Sequence, residues 1–340
     1  MIRIITLYNS YNVGAFLQAF SLYSLLKKKN WDVSFLDVGQ NPEEYFWRSI
    51  KYVRNPVDII FQLRQRRKYR RAVKKHLPIV KKNQLGQGDT IIVGSDEMWN
   101  VNNGSFVHLQ EYFGRNLVCR KKITYAVSGN GTGVDDLRQF DKTIDFSEFD
   151  ALSVRDNSTA MLVSSVAKRT AKKVCDPTVL FRNFQSEPVK KLGYDFLLVY
   201  AYPANLTNEE RERIKGYAKR NGLKTVSVSL YNSWCDVNIA AEPLEFLGYL
   251  EQAKAVVTST FHGTLLSIIY QKNVYTYAHN NEKICELLKD LKLSYRIVDG
   301  VYCYEDISVI DYVQVNARLD QMQSKADKWL SDNLNERKKL

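Results

Sequence analysis

The stretch Val256-Val257-Thr258-Ser259-Thr260-Phe261-His262-Gly263-Thr264 decides how this chain is read. The apolar run 255–257 reads as a buried parallel strand, and Leu265, Leu266, Ile268 and Ile269 mark the inner side of a helix over about 264–271. Hydroxyl side chains and a histidine fill the turn between them. A helix N-terminus presents unpaired N–H groups and the positive end of its dipole, which attract anions. In open α/β sheets, ligands bind at the carboxyl ends of the strands. A histidine there can hold an anion and exchange a proton near neutral pH. The alternative is a capped helix whose first-turn histidine is merely solvated, and this stretch alone leaves both open.

Working outward, the second half alternates strongly. Strand 196–200, helix 207–220, strand 224–230, helix 243–253, strand 274–277 and helix 282–291 surround the quoted turn. The first half opens in the same way, with strand 3–8, a polar loop ending in Gly14, helix 15–29 and strand 33–36. Such βαβ units favour parallel sheets with crossover helices. Strands 90–93, 122–127 and 151–154 each end in polar residues. Gly129, Gly131 and Gly133 follow the second of these, but their spacing is not that of a dinucleotide loop. The polar segment 183–191, with Pro188, marks a boundary. The expected division is a first domain over 1–185, a second over 192–309, and a C-terminal helix in 310–340 that returns to the first domain.

Composition narrows the class. At 340 residues the length suits two domains, and 45% hydrophobic with 25% charged residues suits a globular chain. No apolar run is long enough to span a bilayer, and the opening Met1-Ile2-Arg3-Ile4-Ile5-Thr6-Leu7 does not read as a secretion signal, so a cytoplasmic location is expected. Five cysteines (119, 175, 235, 285, 303) form no CxxC pair, which argues against a disulfide framework or a zinc site. No HExxH or dense His/Asp cluster calls for a metal.

The net charge of +12 is concentrated, because residues 51–82 hold twelve Lys or Arg against one acid, Asp58. Tyr45, Phe46 and Trp47 precede that run. A helical insertion at about 43–82 is expected, either packed on the first domain or lying on an anionic membrane face. Charge confined to one segment, with no nucleic-acid motif, excludes DNA and RNA as the expected partner.

Five pieces, in order, carry a resemblance: Asn12-Val13-Gly14-Ala15-Phe16-Leu17-Gln18-Ala19, Gly94-Ser95-Asp96-Glu97-Met98-Trp99-Asn100, Ser153-Val154-Arg155-Asp156, Cys175-Asp176-Pro177-Thr178 and Ser259-Thr260-Phe261-His262-Gly263. Together they resemble the polysaccharide pyruvyl transferase family. The loop Ala126-Val127-Ser128-Gly129-Asn130-Gly131 departs from the family pattern, and no role is carried across it. The resemblance implies an α/β fold of the GT-B kind, with two Rossmann-like domains facing a central cleft. It also implies transfer of pyruvate from phosphoenolpyruvate to two sugar hydroxyls as a cyclic ketal, with no cofactor beyond that donor. A cell-surface or capsular polysaccharide precursor, including a lipid diphosphate-linked glycan at the inner membrane face, is the implied acceptor.

His262 matches the family's catalytic histidine and is expected to contact phosphate and move protons. His76, His108 and His279 read as structural or solvated. Arg155 is expected to fork onto a carboxylate or phosphate, with a salt bridge to Asp156 or Asp176 as the alternative. Asp96 is the candidate base for an acceptor hydroxyl, with a helix N-cap as its alternative. Ser259, Thr260 and the N–H groups near Gly263 would complete a phosphate cradle beside Phe261, while Asn12, Gly14 and Ser95 would line the cleft. Asp176-Pro177 reads as a structural turn. The competing readings are a GT-B glycosyltransferase using a nucleotide sugar, for whose ribose no carboxylate is well placed, Glu242 and Glu245 being the nearest candidates, and a non-catalytic sugar- or nucleic-acid-binding protein that uses the basic stretch.

Overall fold

The structure, a computed structural model, describes residues 1–51, 53, 55–103, 109–279, 281–298, 304 and 309–335. Its contacts separate two units: residues 1–48, 73–182 and the chain from 319 onward form the first, and 49–72 with 183–318 form the second.

The first unit opens with β1 (Ile2–Ile5), α1 (Val13–Lys28) and β2 (Val33–Asp37). The chain then runs through α2 (Pro42–Ile50) and α3 (Pro56–His76). It returns as β3 (Ile79–Lys81), β4 (Thr90–Val93) and β5 (Lys121–Thr124). These strands form one parallel sheet in the order β3-β2-β1-β4-β5. β1 and β4 are buried along their whole length, as expected of central strands covered on both faces. α4 (Val134–Phe140), β6 (Ser153–Val154), α5 (Asn157–Ala167), β7 (Lys172–Lys173) and α6 (Pro177–Leu180) complete the unit.

The expected strand 122–127 stops at Thr124 because Ala126 turns to φ +53°, yet Val127 still bridges Asp96 on one side and Val154 on the other. The polar residues that follow β4 and β6 are thereby brought side by side. Trp99 anchors the loop after β4: its side chain is fully buried 4.5 Å from the Phe146 ring, and its Nε1 donates to the Tyr112 carbonyl at 2.9 Å.

The second unit repeats the design. It contains β8 (Phe196–Tyr200), α7 (Asn208–Arg220), β9 (Lys224–Val228), β10 (Val237–Ile239), α8 (Pro243–Gln252), β11 (Ala255–Thr258), α9 (Phe261–Ile269), β12 (Asn273–Thr276) and α10 (Glu282–Asp290). Its parallel sheet has the order β10-β9-β8-β11-β12. The strand order reverses between β1 and β4 in the first unit and between β8 and β11 in the second. These are the switch points at which doubly wound sheets bind ligands. A last helix, α11 (Tyr312–Leu334), counts with the first unit from residue 319. There Gln323 donates to the Leu180 carbonyl at 2.8 Å, and Lys29 pairs with Asp327 at 2.6 Å.

The basic segment differs from the expected insertion of the first domain. Residues 49–72 belong to the second unit, because α3 is fastened to the start of α8. Gln65 donates to the carbonyl of Ala241 and accepts from its amide, both at 2.9 Å, replacing a missing backbone pair. Lys68 pairs with Glu245 at 2.6 Å, Arg71 pairs with Glu242, and Phe61 packs on Tyr231. The three strands that sequence patterning missed, the three-residue edge strands β3 and β10 and the two-residue β7, are too short to show an alternation.

Candidate active site

In the first unit the site gathers where β4 and β6 end. Gly94 has φ +120°, and a Cβ there would lie 2.8 Å from Val127 Cγ2 and nearer still to the Tyr125 carbonyl oxygen. Only glycine allows the chain to turn this close to its neighbour. Ser95 follows, fully buried, with its hydroxyl 3.4 Å from Asp176 Oδ2.

Arg155 is also buried, and its guanidinium donates to Asp176 Oδ2 at 2.9 Å, with Asp96 Oδ1 3.7 Å away. Burial works against the charge on Arg155. The carboxylates of Asp176, Asp96 and Asp156 outweigh that cost and hold its pKa above the usual arginine value. The salt bridge considered for Arg155 is therefore present, with Asp176 as the closest partner. Asp176 does more than shape a turn, since Oδ1 also caps α6 through the amide and hydroxyl of Thr178.

Asp96 does not cap a helix. Its backbone sits at φ +75°, its Oδ1 accepts from the Glu97 amide at 3.0 Å, and its side chain keeps 16% of its surface exposed. The neighbouring Cys175 is no nucleophile, because burial and Asp176 push its thiol up to about 12. Asn12 spends its side chain on capping α1, accepting from the amides of Gly14 at 2.7 Å and Ala15 at 3.2 Å.

In the second unit α9 begins at Phe261, three residues earlier than apolar spacing indicates, which sets His262 in its first turn. His262 is 8% exposed, with its ring edge-on to Phe261. Thr258 Oγ1 donates to the Tyr200 carbonyl at 2.7 Å and lies 3.1 Å from Thr260 Oγ1. Thr260 caps the helix by accepting from the Gly263 amide at 2.9 Å. A Cβ at Gly263 would lie 2.6 Å from Thr260 Oγ1 and 2.9 Å from Tyr200 Cδ1, and closer still to Thr258 Oγ1. Thr260 and the Gly263 amide are thus structural parts of the turn, a correction to the expected cradle. Ser259 differs from them: it is buried, its Oγ has no hydrogen-bond partner among the described residues, and it lines a groove of about 470 Å³.

The remaining histidines divide. His76 stands edge-on to Phe16 and Phe20 as a packing residue. His279, read as structural or solvated, bonds Glu210 at 2.8 Å and lines the same groove as Ser259. His108 lies outside the described residues. Among the described residues no group of three His, Cys, Asp or Glu could hold a metal ion, and no helix is long and apolar enough to cross a membrane.

The family model of polysaccharide pyruvyl transferase matches residues 12–281, a span that contains every site residue described above. The chain belongs to the polysaccharide pyruvyl transferase family. No curated protein sequence matches it. Among solved structures, a Listeria monocytogenes protein assigned as a UDP-N-acetylglucosamine 2-epimerase is similar at TM-score 0.51 and 9% identity, covering 97% of this chain and 95% of that one. Two others are S. aureus MnaA with UDP, at 0.46 and 11% over 95% and 90% of the two chains, and the glycosyltransferase SnogD from Streptomyces nogalater, at 0.45 and 10% over 97% and 98%. These identities express a likeness of fold. This family member thus has the expected α/β, GT-B-like class of two Rossmann-like units.

Asp156 yields a prediction with a definite sign. Burial would raise its pKa, but hydrogen bonds from Ser128 and Thr159 and the charge of Arg155 leave it lowered. A depressed folded pKa contributes stability that is present above the unfolded carboxylate value and lost as pH falls through the folded one. Asp156→Asn keeps a side chain that can cap α5 but removes the charge, and should cost about 1–3 kcal/mol at neutral pH, the range for hydrogen bonds to a charged group. The gap from wild type should narrow in acid. Urea unfolding across pH measures it, and a gap that does not change with pH contradicts the assignment.

Proposed function

We propose that this transferase moves the pyruvyl unit of phosphoenolpyruvate onto two hydroxyls of one sugar, closing a cyclic ketal on a cell-surface or capsular polysaccharide precursor. The observation that carries the reading is His262, buried in the first turn of α9 at the carboxyl end of β11, within the span matched by the family model. No acidic residue occupies that first turn, so the helix dipole there favours an anionic group such as the donor's phosphate.

Protonation of the methylene carbon leaves an oxocarbenium-like centre, which one sugar hydroxyl attacks. Phosphate then departs and the second hydroxyl closes the ring. The methylene becomes a methyl group, so of the two hydroxyl protons one balances that gain and the other leaves with phosphate. His262 donates when charged and accepts when neutral, which suits both transfers. In the first unit, Asp96 is a partly exposed carboxylate that suits a base for an acceptor hydroxyl, and Arg155 balances its charge. Phosphoenolpyruvate is the donor, and no cofactor is proposed.

The nucleotide-sugar alternative loses its candidates. Glu242 is 1% exposed and held by Arg71, and Glu245 is held by Lys68. Incubation with phosphoenolpyruvate and a panel of soluble and lipid-linked glycans tests the proposal. A product heavier by one pyruvate less one water, with matching phosphate release, is expected. Turnover of nucleotide sugars without any such product would overturn it. His262→Ala should lower turnover by roughly 10²–10⁴ while leaving the fold intact. Near-normal turnover in a folded variant removes His262 from the mechanism.

A lipid diphosphate-linked acceptor would place the protein at the anionic inner face of a membrane. Arg64, Arg67 and Lys74 are exposed on α3, and Trp47 before them is 54% exposed. Each well-placed cation contributes about 1 kcal/mol at such a surface, weakened by salt. Exchanging those three cations for glutamine should reduce co-sedimentation with anionic liposomes at low salt and spare turnover of a soluble sugar. Equal sedimentation of variant and wild type would leave α3 with a structural role only.

A further inference from the structure

The groove at the switch point of the second unit is not explained by the chemistry assigned to His262. It is lined by Ala204, Asn205, Leu206 and Thr207 after β8, by Ser259 after β11, and by Ala278, His279 and Asn281 after β12. Its volume of about 470 Å³ falls within the range of roughly 300–1,000 Å³ usual for small-molecule sites. It also holds a buried hydroxyl in need of a partner. Ser259 is 5% exposed, and its Oγ has no hydrogen-bond partner among the described residues. A buried hydroxyl left unmatched is costly, so a partner from a bound molecule is the natural resolution.

The lining determines what that molecule is. Among the described residues it includes no lysine, arginine or carboxylate, only amides, hydroxyls, an imidazole and apolar groups. Two of the helix N-termini on its rim carry their own acids, Glu209 and Glu210 in the first turn of α7 and Glu282 in that of α10. These carboxylates offset the dipoles of α7 and α10, so those sides of the rim are poorly suited to a phosphate, which the acid-free N-terminus of α9 suits better. His279 is held by Glu210, which bonds its Nε2 at 2.8 Å. A carboxylate only accepts, so Nε2 carries the hydrogen and, in the neutral ring, Nδ1 is an acceptor. A neutral, hydroxyl-rich molecule matches this set.

We propose that the groove between Ser259 and His279 binds a sugar ring of the acceptor, with the Ser259 hydroxyl and the Glu210-held imidazole as its hydrogen-bonding walls. The proposal rests on the pyruvyl-transfer reading only for calling that sugar the acceptor. It moves Ser259 from the phosphate to the carbohydrate and gives His279 a binding role.

Saturation-transfer NMR and calorimetry with the methyl glycosides of glucose, galactose, mannose and N-acetylglucosamine test it, with inorganic phosphate and phosphoenolpyruvate as parallel probes. At least one glycoside should bind the wild-type chain. Ser259→Ala and His279→Ala should each weaken it about three- to tenfold, the worth of one net hydrogen bond, and leave phosphoenolpyruvate binding as it was. Ser259→Ala removes a single oxygen atom and keeps the fold testable if the histidine variant does not fold. Absence of glycoside binding to wild type, glycoside binding unchanged in folded variants, or loss of phosphate binding in their place would each overturn the proposal. Glycoside binding that depends on Ser259, in a protein that transfers no pyruvate, would uphold the groove and remove the reaction.

Discussion

The second unit depends on how closely α9 approaches the ends of β8 and β11. At Gly263 there is no room for even a methyl group, because Thr258, Thr260 and Tyr200 already occupy the space. Thr258 and Thr260 meet there, one bonded to the β8 carbonyl and the other capping the helix. This packing starts the helix early enough to hold His262 in the first turn, at the positive end of the dipole. His262 and the threonine hydroxyls that shape its turn lie within five residues of one another in the sequence.

The first unit meets the same requirement through charge. Arg155 is taken out of water by the strands around it and is kept charged by the acids at the ends of β4 and β6 and at the start of α6. Removing one partner of such a pair leaves an uncompensated buried charge, so the pair fixes a single arrangement of these loops. The two units share one strand order, with polar residues gathered at the strand ends nearest each reversal. Membership in the polysaccharide pyruvyl transferase family gives that shared architecture a chemical context.

Clustered charge on α3 serves more than one purpose. Lys68 and Arg71 pair with Glu245 and Glu242 at the start of α8, although the Arg71 side chain itself stays 68% exposed. Other cations on the same helix remain on its outer face. A basic run in a sequence therefore cannot be treated as a single patch, because helical spacing distributes its members between packing and solvent.

The sequence by itself determined the class of fold, the positions of the central strands, and the turns at which polar residues gather. β4 and β8 were legible to the residue, because strands buried on both faces are continuous apolar runs. His262 and Arg155 were legible as candidates from their places after such strands. Only the tertiary structure decided how each was used. It paired Arg155 with Asp176, 21 residues on, turned Thr260 and Gly263 into a helix cap, and placed residues 49–72 with the second unit. It also brought His279 to Glu210, 69 residues away, and set the imidazole in the groove that Ser259 lines. The physical reason is range. Burial and helix propensity act on neighbouring residues and leave a periodic trace, whereas hydrogen bonds and ion pairs depend on which strand ends the sheet order makes adjacent.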